Sequence, residues 1–198
     1  MTALTNSDGR IMVTYTAAQF GGRYVLIART NMDGRNLEAR DTLTVRVPGL
    51  IELTPGEYYE LVGAPDNHSG TNDPCRPIFD PPTSLHYHNH FGTQALITVI
   101  QNIAVAYDSL HPGIRLRIND MSLEYGGLFD CGSRTVPPNT WRPPHNSHRL
   151  GRNADIGFTG INSSNQCVPL NRARLEVKID YYSGNRITEG NHYHITVN

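Results

Sequence analysis

The chain has 198 residues, of which 38 % are hydrophobic and 18 % charged, with a formal net charge of −1. That length suits one large or two small domains, and the near-neutral balance argues against an electrostatic grip on nucleic acid or an anionic membrane. No stretch approaches the roughly 20 apolar residues a spanning helix needs, while 18 Gly and 13 Pro point to a loop-rich, β-rich protein whose one compositional excess is its 9 His.

The first residues, MTALTNSDGRIMV, lack the basic region and apolar run of a signal peptide. Two readings follow: the protein stays inside the cell, or this N-terminus is not the natural one. Residues 10–48 read as β. RIMVTYTA, GRYVLIART and DTLTVRVPG are rich in Val, Ile, Thr and Tyr and alternate in part, with NMDGRN as a turn between the last two. The run from Gly21 through Val25, Ile27 and Thr30, then Leu43, Val45 and Val47, resembles the closing strands of a bacterial immunoglobulin-like module, of which about half is represented.

Residues 49–92 are mostly irregular, and APDNHSGTNDPCRPIFDPPTS is loop sequence. A boundary is expected near Leu53–Gly63, giving a β segment over 1–55 and a second domain over 56–198. In TQALITVIQNIAVAYDSL, Leu96, Ile97, Ile100, Ile103, Ala104 and Tyr107 recur at spacings of three and four, which predicts a helix with Thr93 as N-cap and Pro112 beyond its end. GIRLRIND, RARLEVKIDYY and HYHITVN each read as strands, the second with Leu175, Val177 and Ile179 on one face. The fold class is therefore α+β, one helix against a small, mostly antiparallel sheet.

Two late motifs carry chemistry. SHRLGRNADI places His148 seven residues before Asp155, with six residues between them and Gly151 allowing a tight bend, and HYH alternates His192 and His194 around Tyr193. On a strand both histidines project from one face, about 7 Å apart. Two imidazoles and a carboxylate, with a spare histidine as base, form a sulfur-free set that suits zinc; a catalytic zinc takes three protein ligands and leaves a place for water. Taken alone, His148 and Asp155 also read as a capping or salt-bridged pair. HYHNHFG (His86, His88, His90) alternates in the same way and fits either a second metal site or a polar loop. His68 and His111 read as solvated. Tyr125, Phe129 and Trp141 read as core or cleft wall, and Asp120 and Asp130 as turn residues or as carboxylates that orient a ligand histidine.

SHRLGRNADI followed by a late HxH resembles the zinc peptidases that include D-Ala-D-Ala carboxypeptidases, lysostaphin-type endopeptidases and the hedgehog fold. Penicillin-insensitive murein endopeptidases are the nearest of these, with Ser-His, two residues, Gly, three residues and Asp followed by Ile or Val. INDMSLEYGGLFD and WRPPHNSH share the flavour of that group, and the resemblance spans about residues 86–198. It implies a hedgehog or DD-peptidase type of sheet with a packed helix. It further implies zinc held by His148, Asp155 and His194, His192 as general base or transition-state stabiliser, and His145 lining the site. The implied substrate is an amide bond in peptidoglycan stems or cross-links, which places the protein outside the cell or in the periplasm. The carboxypeptidase branch carries a Glu just before its last ligand; here the nearest acid is Glu189, five residues before His194, so the Glu-base version fits poorly.

The alternative is a non-catalytic zinc-containing module that binds cell wall or carbohydrate. Of the three cysteines, Cys75, Cys131 and Cys167, none forms a CxxC pair. Export, as the resemblances imply it, leads to the expectation of a disulfide between Cys131 and Cys167; three reduced thiols are the expectation for a cytosolic protein.

Overall fold

A computed structural model of the chain describes residues 4–62, 75, 89–128 and 147–198. Strands β1 (Gly22–Met32) and β2 (Arg35–Val45) form an antiparallel ribbon in unbroken register from Gly22↔Val45 to Met32↔Arg35. Asp33 and Gly34 close it with φ of 51° and 78°. Two positive φ values match the twist of a two-residue hairpin, and Asp-Gly is among the pairs that tolerate them. The segment 10–17, expected as a strand, is exposed and forms none. Alternation makes a strand only where a neighbouring backbone takes up its hydrogen bonds. At its base the ribbon is tied to the loop after Leu123: Gly21 N–H donates to Gly126 O and Val47 N–H to Tyr125 O.

The remaining elements are β3 (Ile51–Glu52), β4 (Tyr59–Leu61), β5 (Phe91–Gly92), α1 (Gln94–Asp108), β6 (Arg115–Ile118), β7 (Asn153–Ile161), β8 (Cys167–Pro169), α2 (Arg172–Tyr182), β9 (Arg186–Glu189) and β10 (His192–Thr196). The main sheet runs β4-β6-β7-β10-β9, with β8 on the far half of β7, and β3 pairs with β5. Only β4 and β6 are parallel within the main sheet. The class is α+β, as expected, with two helices among the described residues rather than one.

Helix α1 forms where the spacing placed it. The Thr93 side chain accepts from Leu96 N–H, and the six apolar positions named above are all buried. Helix α2 corrects the strand expected over RARLEVKIDYY. Leu175 and Ile179 are buried, but Val177 between them is 61 % exposed. Residues four apart share a helix face as well as a strand face, and the residue midway between them decides which. Asn171 caps this helix by accepting from Arg174 N–H, and its own N–H donates to the Tyr107 hydroxyl of α1 at 2.8 Å.

Along the central strands the two faces differ in kind. Leu116, Ile118, Ala154, Ile156, Tyr193 and Ile195 join Leu96, Ile100, Leu175 and Ile179 in one core. The intervening residues point the other way because successive strand side chains alternate. They include Glu60, Arg117, Asn153, Asp155 and His194, all buried. Glu60 and Arg117 are register partners on β4 and β6, with Arg117 Nε 3.2 Å from Glu60 Oε1.

Cys167 is bonded to Cys75, not to Cys131 as expected. Cys131 lies outside the described residues. Strand β8, which carries Cys167, hangs on the far half of β7, away from the histidine segment.

Candidate metal centre

His148 opens a single 3-10 turn, His148–Leu150, which Gly151 ends at φ 67°. A side chain at Gly151 would collide with Leu50 Cδ2 and stand 3.2 Å from Gly92 Cα, and its carbonyl accepts from Thr93 N–H at 2.8 Å. The glycine therefore both turns the chain and lets it pass against the start of α1. The chain then enters β7, whose third residue is Asp155. Its N–H donates to Asp120 O, and its carbonyl accepts from Asn119 N–H. On β10, His194 is the register partner of Asp155, and His192 that of Gly157.

These placements bring His148, Asp155 and His194 together, with one ligand atom from each lying within 4.8 Å of the others. Asp155 Oδ1 is 2.9 Å from His194 Nδ1 and 3.6 Å from His148 Nε2. The two rings meet edge to face, with centroids 4.8 Å apart. All three residues are buried, at 2 %, 4 % and 7 % exposure. His192 is less covered, and its Nε2 lies 3.4 Å from Asp155 Oδ2. The carboxylate thus meets histidines through both oxygens. Burial alone would push the Asp155 carboxyl up; the hydrogen bond to His194 and the fields of His148, His192 and His194 more than offset it and hold the carboxyl below its usual range.

Two imidazoles and a carboxylate, buried and convergent, are a donor set that can hold a metal ion.

Of the other residues singled out in the sequence, His145, His86, His88, His68, Phe129, Asp130 and Trp141 lie outside the described residues. The ring of His90 is taken up by the backbone, its Nε2 lying 3.1 Å from Val62 O and 3.3 Å from Ile118 O. It therefore clasps the ends of β4 and β6. His111 is not solvated but packs on Tyr107, with ring centroids 4.8 Å apart. Asp120 is buried, and its Oδ1 accepts from Asn89 Nδ2 at 2.6 Å. It supports the centre through its carbonyl bond to Asp155.

Two residues at the centre are not reached by motif counting. Glu189, set aside because it lies five residues before His194, is the register partner of His192 across the Gly190-Asn191 turn, and its Oε2 is 3.5 Å from His192 Nε2. Asn153 lies within SHRLGRNADI but at one of its unspecified positions between Gly151 and Asp155; its amide lies 3.0 Å from His194 Nε2. The Gly-Asn pair before a short strand was the available signal for Glu189, since a two-residue turn makes its flanking residues neighbours.

No family model matches the chain, and no curated protein is significantly similar to it. Among the described residues no helix is long and apolar enough to cross a membrane.

Proposed function

We propose that the protein is a zinc metallopeptidase that hydrolyses an amide bond in peptidoglycan peptides or cross-links, with a hedgehog or DD-peptidase type of sheet. The observation that carries this reading is the convergence of His148, Asp155 and His194 on one buried point, with His192 beside them and less covered. The resemblance of SHRLGRNADI and HYH to murein endopeptidases supports the substrate class. The Cys75–Cys167 disulfide supports export, because such bonds persist in oxidising compartments. The partial immunoglobulin-like character of the ribbon fits a module that displays the catalytic part.

In this reading His148, Asp155 and His194 would hold the ion. When bound, zinc lowers the pKa of a coordinated water to about 7 and polarises the scissile carbonyl. His192 takes the water's proton and hands it to the leaving amine. Its ring is held at both nitrogens, Nε2 beside Asp155 and Glu189 and Nδ1 beside Asn191, whose Oδ1 is 3.0 Å away. Glu189 is 41 % exposed at the side chain, so it faces the side from which a peptide would enter.

The test separates two histidines that look alike in sequence. His194→Ala should lose zinc and muropeptide cleavage together. His192→Ala should keep stoichiometric zinc and lose activity by about 100-fold or more, the usual scale for a general acid–base. Zinc lost from both variants would mark a closed structural site and end the enzyme reading; wild-type zinc without turnover of cross-linked muropeptides would favour the binding module.

A further inference from the structure

The ring of His194 is held at both nitrogens by side chains of one neighbouring strand. Nδ1 faces Asp155 Oδ1 at 2.9 Å, and Nε2 faces the Asn153 amide at 3.0 Å. The same amide atom lies 2.7 Å from the Thr196 hydroxyl. Asn153 and Thr196 are register partners two residues from the Asp155–His194 pair, so the four side chains form a square on one sheet face. Asn153 is 6 % exposed.

The hydrogen inventory of this square has two complete solutions. A carboxylate only accepts, so with Asp155 against Nδ1 the ring proton sits on Nδ1 and Nε2 accepts. The Asn153 NH2 then donates one hydrogen to Nε2 and one to Thr196 Oγ1. If Nδ1 is given to a cation, its proton leaves. A ring that gives Nδ1 to a cation carries its remaining proton on Nε2. Nε2–H now needs an acceptor. Half a turn of the Asn153 amide about its terminal torsion, which is soft, brings Oδ1 into the place of the NH2. Thr196 turns its hydroxyl to donate to the same oxygen. His194 Nε2 and Thr196 Oγ1 each keep a partner in both arrangements, and among the uncharged side chains of this length only an amide offers both faces.

We infer that Asn153 is a positioning residue for metal binding, an amide that rotates with the tautomer of His194 and so presents Nδ1 to the ion. The inference rests on the metal reading of His148, Asp155 and His194, but not on peptidase activity. Partners of this kind on a ligand histidine typically change metal affinity by about 10–100-fold.

The test uses the full-length chain, stripped by chelator and then titrated with zinc. Nitrogen-15 spectra of the histidine rings should show His194 protonated at Nδ1 without zinc and at Nε2 with it. Asn153→Leu should weaken zinc binding by about 10–100-fold. Asn153→Asp supplies the acceptor that Nε2–H needs and should restore affinity to within a few-fold of wild type. Thermal midpoints of the zinc-free variants separate a loss of fold from a loss of affinity. Wild type that binds no zinc would overturn the metal reading itself. Wild type that binds zinc while Asn153→Leu binds it equally well, or that keeps Nδ1 of His194 protonated when loaded, would overturn the role of Asn153 alone.

Discussion

Tyr193 sits between the two histidines and faces the opposite way, into the helices. Its hydroxyl donates to Glu176 Oε1 at 2.6 Å and accepts from Arg172 Nε at 3.1 Å. Burial first, and the bond to Glu176 second, push its pKa above the usual tyrosine value, against the lowering influence of Arg172. The sign follows from linkage: a group with a raised folded pKa contributes fully below its unfolded pKa, and that contribution is lost as pH rises toward the folded one. Unfolded tyrosine ionises near pH 10. The urea midpoint of wild type should therefore fall as pH rises above about 10. Tyr193→Phe should be less stable near neutrality by about 1 kcal/mol for the lost hydrogen bond, and its decline above pH 10 should be shallower. Parallel declines in the two proteins would show that Tyr193 does not carry the linkage.

How much of the site was legible also divides at the level of single residues. His192 and His194 could be placed on one face because strand alternation needs no tertiary information. His148 and Asp155 could be joined by a bend because Gly151 permits one. The pairing of Asp155 with His194 and of Glu189 with His192 could not be read, since both depend on strand register, which is set by packing and turns. The amide of Asn153 is invisible for the same reason: it acts across the strand pair, two residues from the Asp155–His194 pairing.

For the elements, α1 and α2 make the contrast. Helix α1 has six apolar residues at helical spacing and a Thr cap, so its period is unambiguous. Helix α2 is short and mostly polar, with only Leu175 and Ile179 buried. A pattern of two residues four apart fits both periods, and Val177 supplied a false alternation. Asn171, and the good helix formers Arg, Leu, Glu and Lys behind it, were the better signal. The structure makes these positions unequal in energy. Ile179→Ala removes a fully buried side chain beneath α1 and should cost about 2–5 kcal/mol. Val177→Lys changes an exposed helix position and should stay within about 0.5 kcal/mol of wild type. Denaturant titration of the two variants gives the comparison, and similar losses in both would return this segment to a strand.

For the whole molecule, the sheet divides labour between its faces. One is apolar and carries the helices; the other holds Glu60 with Arg117 on β4 and β6 and the metal-binding group on β7 and β10. The Cys75–Cys167 bond spans 92 residues and encloses α1, β6 and all of β7, but not β10. It therefore constrains the unfolded chain around His148 and Asp155 while leaving His194 outside the loop. Chain-entropy reasoning gives about 4–5 kcal/mol for a loop near 100 residues, and removal of native disulfides typically costs about 2–5 kcal/mol. Within the fold, β8 pairs with Thr159–Ile161, and Thr159 is four residues along β7 from Asp155. At the rise of a strand that is about 13 Å, too far for the disulfide to touch the ligand set. A Cys75→Ser, Cys167→Ser double variant should thus lose about 2–5 kcal/mol of unfolding free energy, yet bind zinc with affinity close to wild type at temperatures where it remains folded. Calorimetry for stability and zinc titration well below the variant's melting point measure the two separately. A folded double variant that had lost its zinc would show that the disulfide shapes the centre itself rather than the chain around it.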